Sequence, residues 1–284
     1  MCAANGLDDI LLVNRTKSKA IGEALDISNA ISGNCDISIH GTDDFSKITG
    51  SKIIVITAST GVYLKNRTEM IDAQIKMIKS IALKIKNHCP NAIILIVSNP
   101  LDVLTYFFQK ETLFSRNKVI GIASSLDSSR FRYLLSEKLG VKQSQISNAI
   151  VLGEHGDSMI PLFSHTKING KNLLEIIDSN QQSIITKEIR DYWKSLRNFK
   201  SRSQFGIAKN TFDVINAILN DKKLEIPASV LLEGEFGEYD VSMGVPVIID
   251  KNGISQIQEI DLSKSESDSL KASAQIIRNY IKST

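Results

Sequence analysis

Apolar residues recur along this chain in two rhythms. Short unbroken runs, Ile10-Leu11-Leu12-Val13, Ile53-Ile54-Val55-Ile56-Thr57, Ile93 to Val97 and Val119-Ile120-Gly121-Ile122, predict strands of the kind buried in parallel sheets. Asp36 to His40 alternates and predicts a further strand. Between these runs the spacing turns helical. Ala20, Ile21, Ala24, Leu25 and Ile31 mark one helical face, and a long helix is expected after a loop from Ala58 to Asn66. Met1 to Gly6 reads as the last turn of a helix closed by a glycine. Strands alternating with helices predict an α/β fold with a doubly wound parallel sheet, whose ligands gather beyond the carboxyl ends of the strands. Thr57, Asn99 and Ser124 fall at such ends.

From Ile146 the rhythm changes to shorter strands and longer helices, so a domain boundary is placed just before it. Residues 1–145 form one domain and residues 146–284 an α+β second domain. Ile184 to Leu219 reads as largely helical around a break near Lys200 to Ser203. Ser263-Lys264-Ser265-Glu266 is a capping box, and Leu270, Ala274, Ile277 and Ile281 share a face of the helix it opens.

With 284 residues the chain can bury a large core. Its net charge of +3 is too small and too dispersed to indicate nucleic acid or a membrane surface, which leaves small molecules as ligands. The three cysteines, Cys2, Cys35 and Cys89, have no metal-ligand spacing and fit a reducing cytoplasm. No apolar run is long enough to span a bilayer, and Met1-Cys2-Ala3-Ala4 is too short and uncharged for a signal peptide.

The candidate chemistry centres on Gly153-Glu154-His155-Gly156-Asp157-Ser158, straight after the apolar run Ala149-Ile150-Val151-Leu152. A histidine between two glycines can be pressed against a ligand with little bulk around it, which suits proton transfer. Upstream, Leu126-Asp127-Ser128-Ser129-Arg130 opens a helix with its Asp and Arg on one face. Such a pair standing alone would read as a surface ion pair.

Together these two segments resemble hallmark sequences of the malate and lactate dehydrogenase family. Ser98-Asn99-Pro100-Leu101-Asp102 and Gly244-Val245-Pro246 lie in family order. The resemblance runs from about Ile10 to the last helix and is greatest to malate dehydrogenases. It implies a Rossmann-type domain followed by a catalytic domain, and hydride transfer between a nicotinamide cofactor and a small 2-hydroxy acid. Malate is the first choice, lactate the nearest alternative, and a non-catalytic binding subunit the third. A homodimer or homotetramer is also implied.

Carried over residue by residue, the resemblance makes His155 the proton acceptor, Asp127 its supporting anion and Arg130 the grip on the substrate carboxylate. Arg67 matches the loop arginine that closes over substrate, or is a solvated loop residue. Asn99 matches the asparagine between nicotinamide and substrate, or is a turn residue before proline. Ser203 matches a substrate-contacting Ser/Thr, and an N-cap for the next helix explains it equally well. Cofactor contacts are expected from Asn14, Arg15, Thr16, Lys17, Thr57, Ala58, Gln74, Val97, Ser98 and Asn99.

The departures are informative. The segment Ser59 to Arg67 offers neither the second arginine that binds the distal carboxylate of malate in many family members nor the glutamine that lactate enzymes have there, and the loop is one residue short; Lys65 is a candidate replacement for the arginine. Asn14 stands where an acid usually accepts from the adenosine ribose. Followed by Arg15, Thr16 and Lys17, it leans the expected cofactor toward NADP(H), or relaxes the choice, unless this is an ordinary basic turn. Gln74 stands where the family usually has Asn.

No Gly-x-Gly-x-x-Gly occurs in the chain, although that loop brings backbone to the pyrophosphate. The family's first, central strand is missing with it. Unpaired strand edges beside Ile10 and Ile53 would each cost roughly 1 to 3 kcal/mol per orphan group. The expectation is a start codon assigned roughly 20 residues late, about a strand, a loop and most of a helix.

Overall fold

The computed structural model describes residues 1–60 and 67–283, with the side chains of residues 67–69 left outside that description. The chain begins with a 3-10 turn over Ala3–Asn5 closed by a left-handed Gly6, as the glycine suggested. In order there follow β1 (Ile10–Val13), α1 (Lys17–Ile31), β2 (Ile39–Thr42), β3 (Ile53–Ile56), α2 (Arg67–His88), β4 (Ile93–Ile96), α3 (Leu101–Thr112), β5 (Val119–Gly121) and α4 (Ser124–Leu139). The second half holds the short strands β6 (Ile146–Ser147), β7 (Val151–Leu152), β8 (Ile160–Pro161), β9 (Lys167–Ile168) and β10 (Lys171–Asn172). It continues with α5 (Ser179–Arg197), α6 (Phe205–Leu219), β11 (Leu224–Glu233), β12 (Tyr239–Asp250), β13 (Gly253–Ile257) and α7 (Lys264–Lys282).

The main sheet runs β13-β12-β11-β5-β4-β3. Its β3-β4-β5 part is parallel, as expected of alternating strands and helices, while β11 joins β5 antiparallel through Ser229 opposite Gly121. Strand β4 is wholly buried. Its Ile93 and Leu95 face a core shared with β11, β12, α6 and α7, whereas Ile94 and Ile96 face a core built from α2 and α3. A third cluster joins Phe131 and Leu135 of α4 to Ile185 and Ile189 of α5.

The sheet divides where the missing central strand is expected: among the described residues β1 and β2 pair in parallel with each other alone, and β3 is an edge strand of the main sheet. With a neighbour on one side only, β3 is not fully buried, and Val55 is 37% exposed. Two finer expectations need correcting. Strand β2 starts at Ile39 rather than Asp36, because its register is set by pairing with β1, Ile10 opposite Ile39. The apolar face of α1 also splits. Ala20 and Ala24 are buried while Ile21 and Leu25 are exposed, since α1 rides on β2 so closely that a Cβ at Gly41 would lie 2.2 Å from the Ala20 carbonyl carbon. That contact admits only small side chains.

The helical break lies between Arg197 and Phe205. In the tail, Ser263 Oγ accepts from the Glu266 amide at the start of α7, and Leu270, Ala274 and Ile277 are buried there.

Candidate active site

Helix α4 starts immediately beyond β5, so its first turn lies at the carboxyl end of the parallel strands. Ser128 ties it to the strand that carries the histidine: its hydroxyl donates to the Ser124 carbonyl at 2.8 Å and accepts from the Val151 amide at 2.9 Å. Beyond β7 the chain turns at Gly153, whose φ of +85° disfavours any side chain. Gly153 and Gly244 exchange backbone hydrogen bonds of 2.9 and 3.0 Å. A Cβ at Gly244 would come within 2.0 Å of Ser124 Oγ. The Glu154 amide donates to Ser273 Oγ of α7 at 2.8 Å. Helix, strand and tail thus hold His155 from three directions.

The two oxygens of Asp127, 1% exposed, are divided. Oδ2 lies 2.6 Å from His155 Nδ1, and Oδ1 accepts from Arg130 Nη1 at 3.0 Å. A carboxylate on Nδ1 assigns the proton to that nitrogen and leaves Nε2 as the basic atom. Burial alone would depress the His155 imidazole, but the Asp127 charge and hydrogen bond outweigh it. The net displacement is above the ordinary value of 6.5. Arg130 is itself buried, with its guanidinium 5.2 Å from the Tyr192 ring centroid. Among the described residues its Nη1 alone is hydrogen-bonded, so the rest of the planar fork is available to a carboxylate.

Most of the other predicted residues fall at the carboxyl ends of β1, β3 and β4. Asn99 ends the segment after β4, in a cis peptide with Pro100. The Val97 amide donates to the Ile56 carbonyl, and Ser98 Oγ donates to the Ala58 carbonyl at 2.7 Å, bracing the ends of β3 and β4 beside Thr57. Arg15 Nη2 reaches the Thr60 carbonyl at 3.3 Å, and Gln74 Nε2 donates to the Thr60 hydroxyl at 3.3 Å. Asn14 Oδ1 accepts from the Thr16 amide, and Lys17 opens α1. Ser203 precedes α6, where a Cβ at Gly206 would meet both its Oγ, at 3.9 Å, and Leu126 beside Asp127, at 2.8 Å. The capping alternative for Ser203 fails, because Gln204 occupies the N-cap without a side-chain bond. Arg67 opens α2, but its side chain lies outside the description, as does all of Lys65.

The residues after β3 and β4 suit the nicotinamide half of a cofactor, and those after β1 its adenosine ribose. Buried Gln74 Oε1 has no partner among the described residues, and a ribose hydroxyl is the kind of donor it requires. A glycine-rich pyrophosphate loop is not among the residues present. A cavity of about 600 Å³ lies close by, lined by Asp157, Phe163 and α5 residues including Arg190 and Lys194. None of His155, Asp127 and Arg130 lines it, so the three define a separate site.

Sequence reasoning gave Asp102 no role of its own, although it ends the segment Ser98 to Asp102, and passed over Ser229, Ser273 and Tyr192. Asp102 left one signal, a charge inside the apolar run Leu101 to Phe108. The others become visible only once strands and helices distant in sequence meet.

Comparison with known proteins agrees with this geometry. The model of the lactate/malate dehydrogenase NAD-binding domain matches residues 1–121, and that of the lactate/malate dehydrogenase α/β C-terminal domain matches residues 124–284. Malate dehydrogenase of Pelagibacter ubique is 37% identical over 271 residues, 91% of this chain and 83% of that protein. Malate dehydrogenase of Aeropyrum pernix is 33% identical, and its solved structure superposes with a TM-score of 0.93 over 100% of this chain and 92% of that one. A lactate dehydrogenase from Cryptosporidium parvum, solved with lactic acid and nicotinamide adenine dinucleotide, gives 0.93 at 33% identity, covering 99% and 91%. The chain belongs to the lactate/malate dehydrogenase family, an oxidoreductase family that moves hydride between a nicotinamide cofactor and a 2-hydroxy acid.

Proposed function

We propose that this protein interconverts malate and oxaloacetate, with His155 as the proton-transfer group. The observation that carries the reading is the division of Asp127 between His155 Nδ1 and Arg130 Nη1. In the oxidation direction His155 Nε2 takes the substrate hydroxyl proton, and Asp127 stabilises the imidazolium that results. Arg130 holds the C1 carboxylate by parallel hydrogen bonds and so fixes which face of C2 is presented. Asn99, Ser203 and Arg67 are the further residues assigned to the substrate by the family resemblance. The bound nicotinamide supplies the hydride acceptor.

Residues 1–145 serve the cofactor and residues 146–284 complete the substrate site. Asn14 to Lys17 lean the choice toward NADP(H), since an amide there does not repel a 2′-phosphate. A cytoplasmic homodimer or homotetramer is proposed with it. The similarity to the malate dehydrogenases of Pelagibacter ubique and Aeropyrum pernix supports malate. Lactate is the second reading, since the segment Ser59 to Arg67 carries neither the second arginine of many malate enzymes nor the glutamine of lactate enzymes; under the malate reading Lys65 partly replaces that arginine as a point charge. Steady-state rates with oxaloacetate and pyruvate, each with NADH and NADPH, decide both choices. A higher kcat/KM for pyruvate would overturn the malate assignment.

A further inference from the structure

We propose that Asp102 is a positioning residue for His155, clamping its backbone and placing a second negative charge near its ring. The inference rests on the role of His155 given above. Asp102 lies in the first turn of α3, three residues after Asn99, and is 3% exposed. Its Oδ2 accepts from the His155 amide at 2.7 Å, and its Oδ1 accepts from Ser229 Oγ at 2.6 Å. Ser229 is fully buried and pairs β11 with Gly121 of β5. One carboxylate thereby joins the Asn99 segment, the histidine backbone and the main sheet at a single point. Asp127 orients the ring of His155, and Asp102 fixes the residue from which that ring projects.

The electrostatics follow from the same placement. His155 is faced by Asp127 and Arg130 from α4 and by Asp102 from α3, while Asp102 is faced by His155 and Glu154 from the turn after β7. Both carboxylates favour the imidazolium, and Arg130 opposes it. Burial holds Asp102 up at about 6 against the donations from Ser229 and the His155 amide. Asp102→Asn retains the shape: its Oδ1 can accept from the His155 amide while its Nδ2 donates to Ser229. It removes the charge and leaves the His155 amide a weaker, neutral acceptor, so the clamp also loosens.

The test compares Asp102→Asn and Ser229→Ala with the parent and with His155→Asn, using the pH profile of malate oxidation. For Asp102→Asn the acid limb moves to lower pH by about half a pH unit, and kcat falls about tenfold or more. KM changes less than about threefold. Ser229→Ala, which loosens the clamp and keeps the charge, lowers kcat without moving the limb downward. An Asp102→Asn protein with an unmoved limb or an unchanged kcat overturns the proposal. Should Asp102→Asn not fold, an unaltered kcat in Ser229→Ala overturns the clamp. Near-parental activity in His155→Asn refutes instead the role of His155, so the two failures are distinct.

Discussion

His155 Nδ1 sits 2.6 Å from Asp127 Oδ2, an arrangement in which the carboxylate stabilises the charged ring and dictates which nitrogen reacts. Asp127→Asn keeps the shape and loses the charge, so the raised imidazole value should return toward or below 6.5. Oxidation requires the neutral ring and reduction the imidazolium. The acid limb of malate oxidation should therefore move to lower pH, and the loss of oxaloacetate reduction with rising pH should begin earlier. A fall in kcat of about 100-fold or more should accompany this, because the amide also misdirects the tautomer. Paired pH profiles in the two directions check both.

Arg130 shares Asp127 and is stacked near Tyr192. Arg130→Lys keeps the charge and loses the planar fork, so two parallel hydrogen bonds become one. The expected result is a fall in kcat/KM of about 10- to 100-fold, carried mainly by KM, with cofactor affinity unaltered. Steady-state kinetics and a cofactor titration separate these quantities.

Asp102 makes a prediction about stability opposite in sign to its effect on activity. Its folded-state value of about 6 lies above the ordinary 3.8, so folding favours the protonated acid. The resulting penalty is absent below the lower value and full above the higher one. It amounts to about 3 kcal/mol at neutral pH. Asp102→Asn should accordingly melt at the same or a higher temperature at pH 7, and this advantage should shrink as the solution is acidified toward pH 4. Thermal melts across that range test it; a large loss of stability at pH 7 would contradict it.

Asn14 closes a turn through the Thr16 amide, with Arg15 and Lys17 on either side of Thr16. Asn14→Asp restores a charge that repels a 2′-phosphate and accepts from ribose hydroxyls. The ratio of kcat/KM for NADH over NADPH should rise about tenfold or more. An unchanged ratio would show that this turn does not select the cofactor.

Local pattern carried much of this structure. The runs at Ile53, Ile93 and Val119 became strands because a buried parallel strand needs apolar residues on both faces, and few other elements tolerate them. His155, Asp127 and Arg130 were legible through the family resemblance: helical spacing alone would have made Asp127 and Arg130 a surface ion pair, and the fold brings both to His155. The start of β2 was not legible, since its register depends on β1 rather than on its own alternation. Nor was the exposure of Leu25, which follows from the close seat of α1 on Gly41. Asp102 and Ser229 lie 127 positions apart, and only the folded sheet brings them together.

The central claim is that His155 moves the proton. Replacement by Asn removes the basic nitrogen while keeping a polar side chain of similar reach, so cofactor binding should persist. Malate oxidation measured on such a variant should fall in kcat by about 1,000-fold or more, with the pH dependence assigned to the ring abolished. Turnover within about tenfold of the parent, with the same acid limb, would contradict the account.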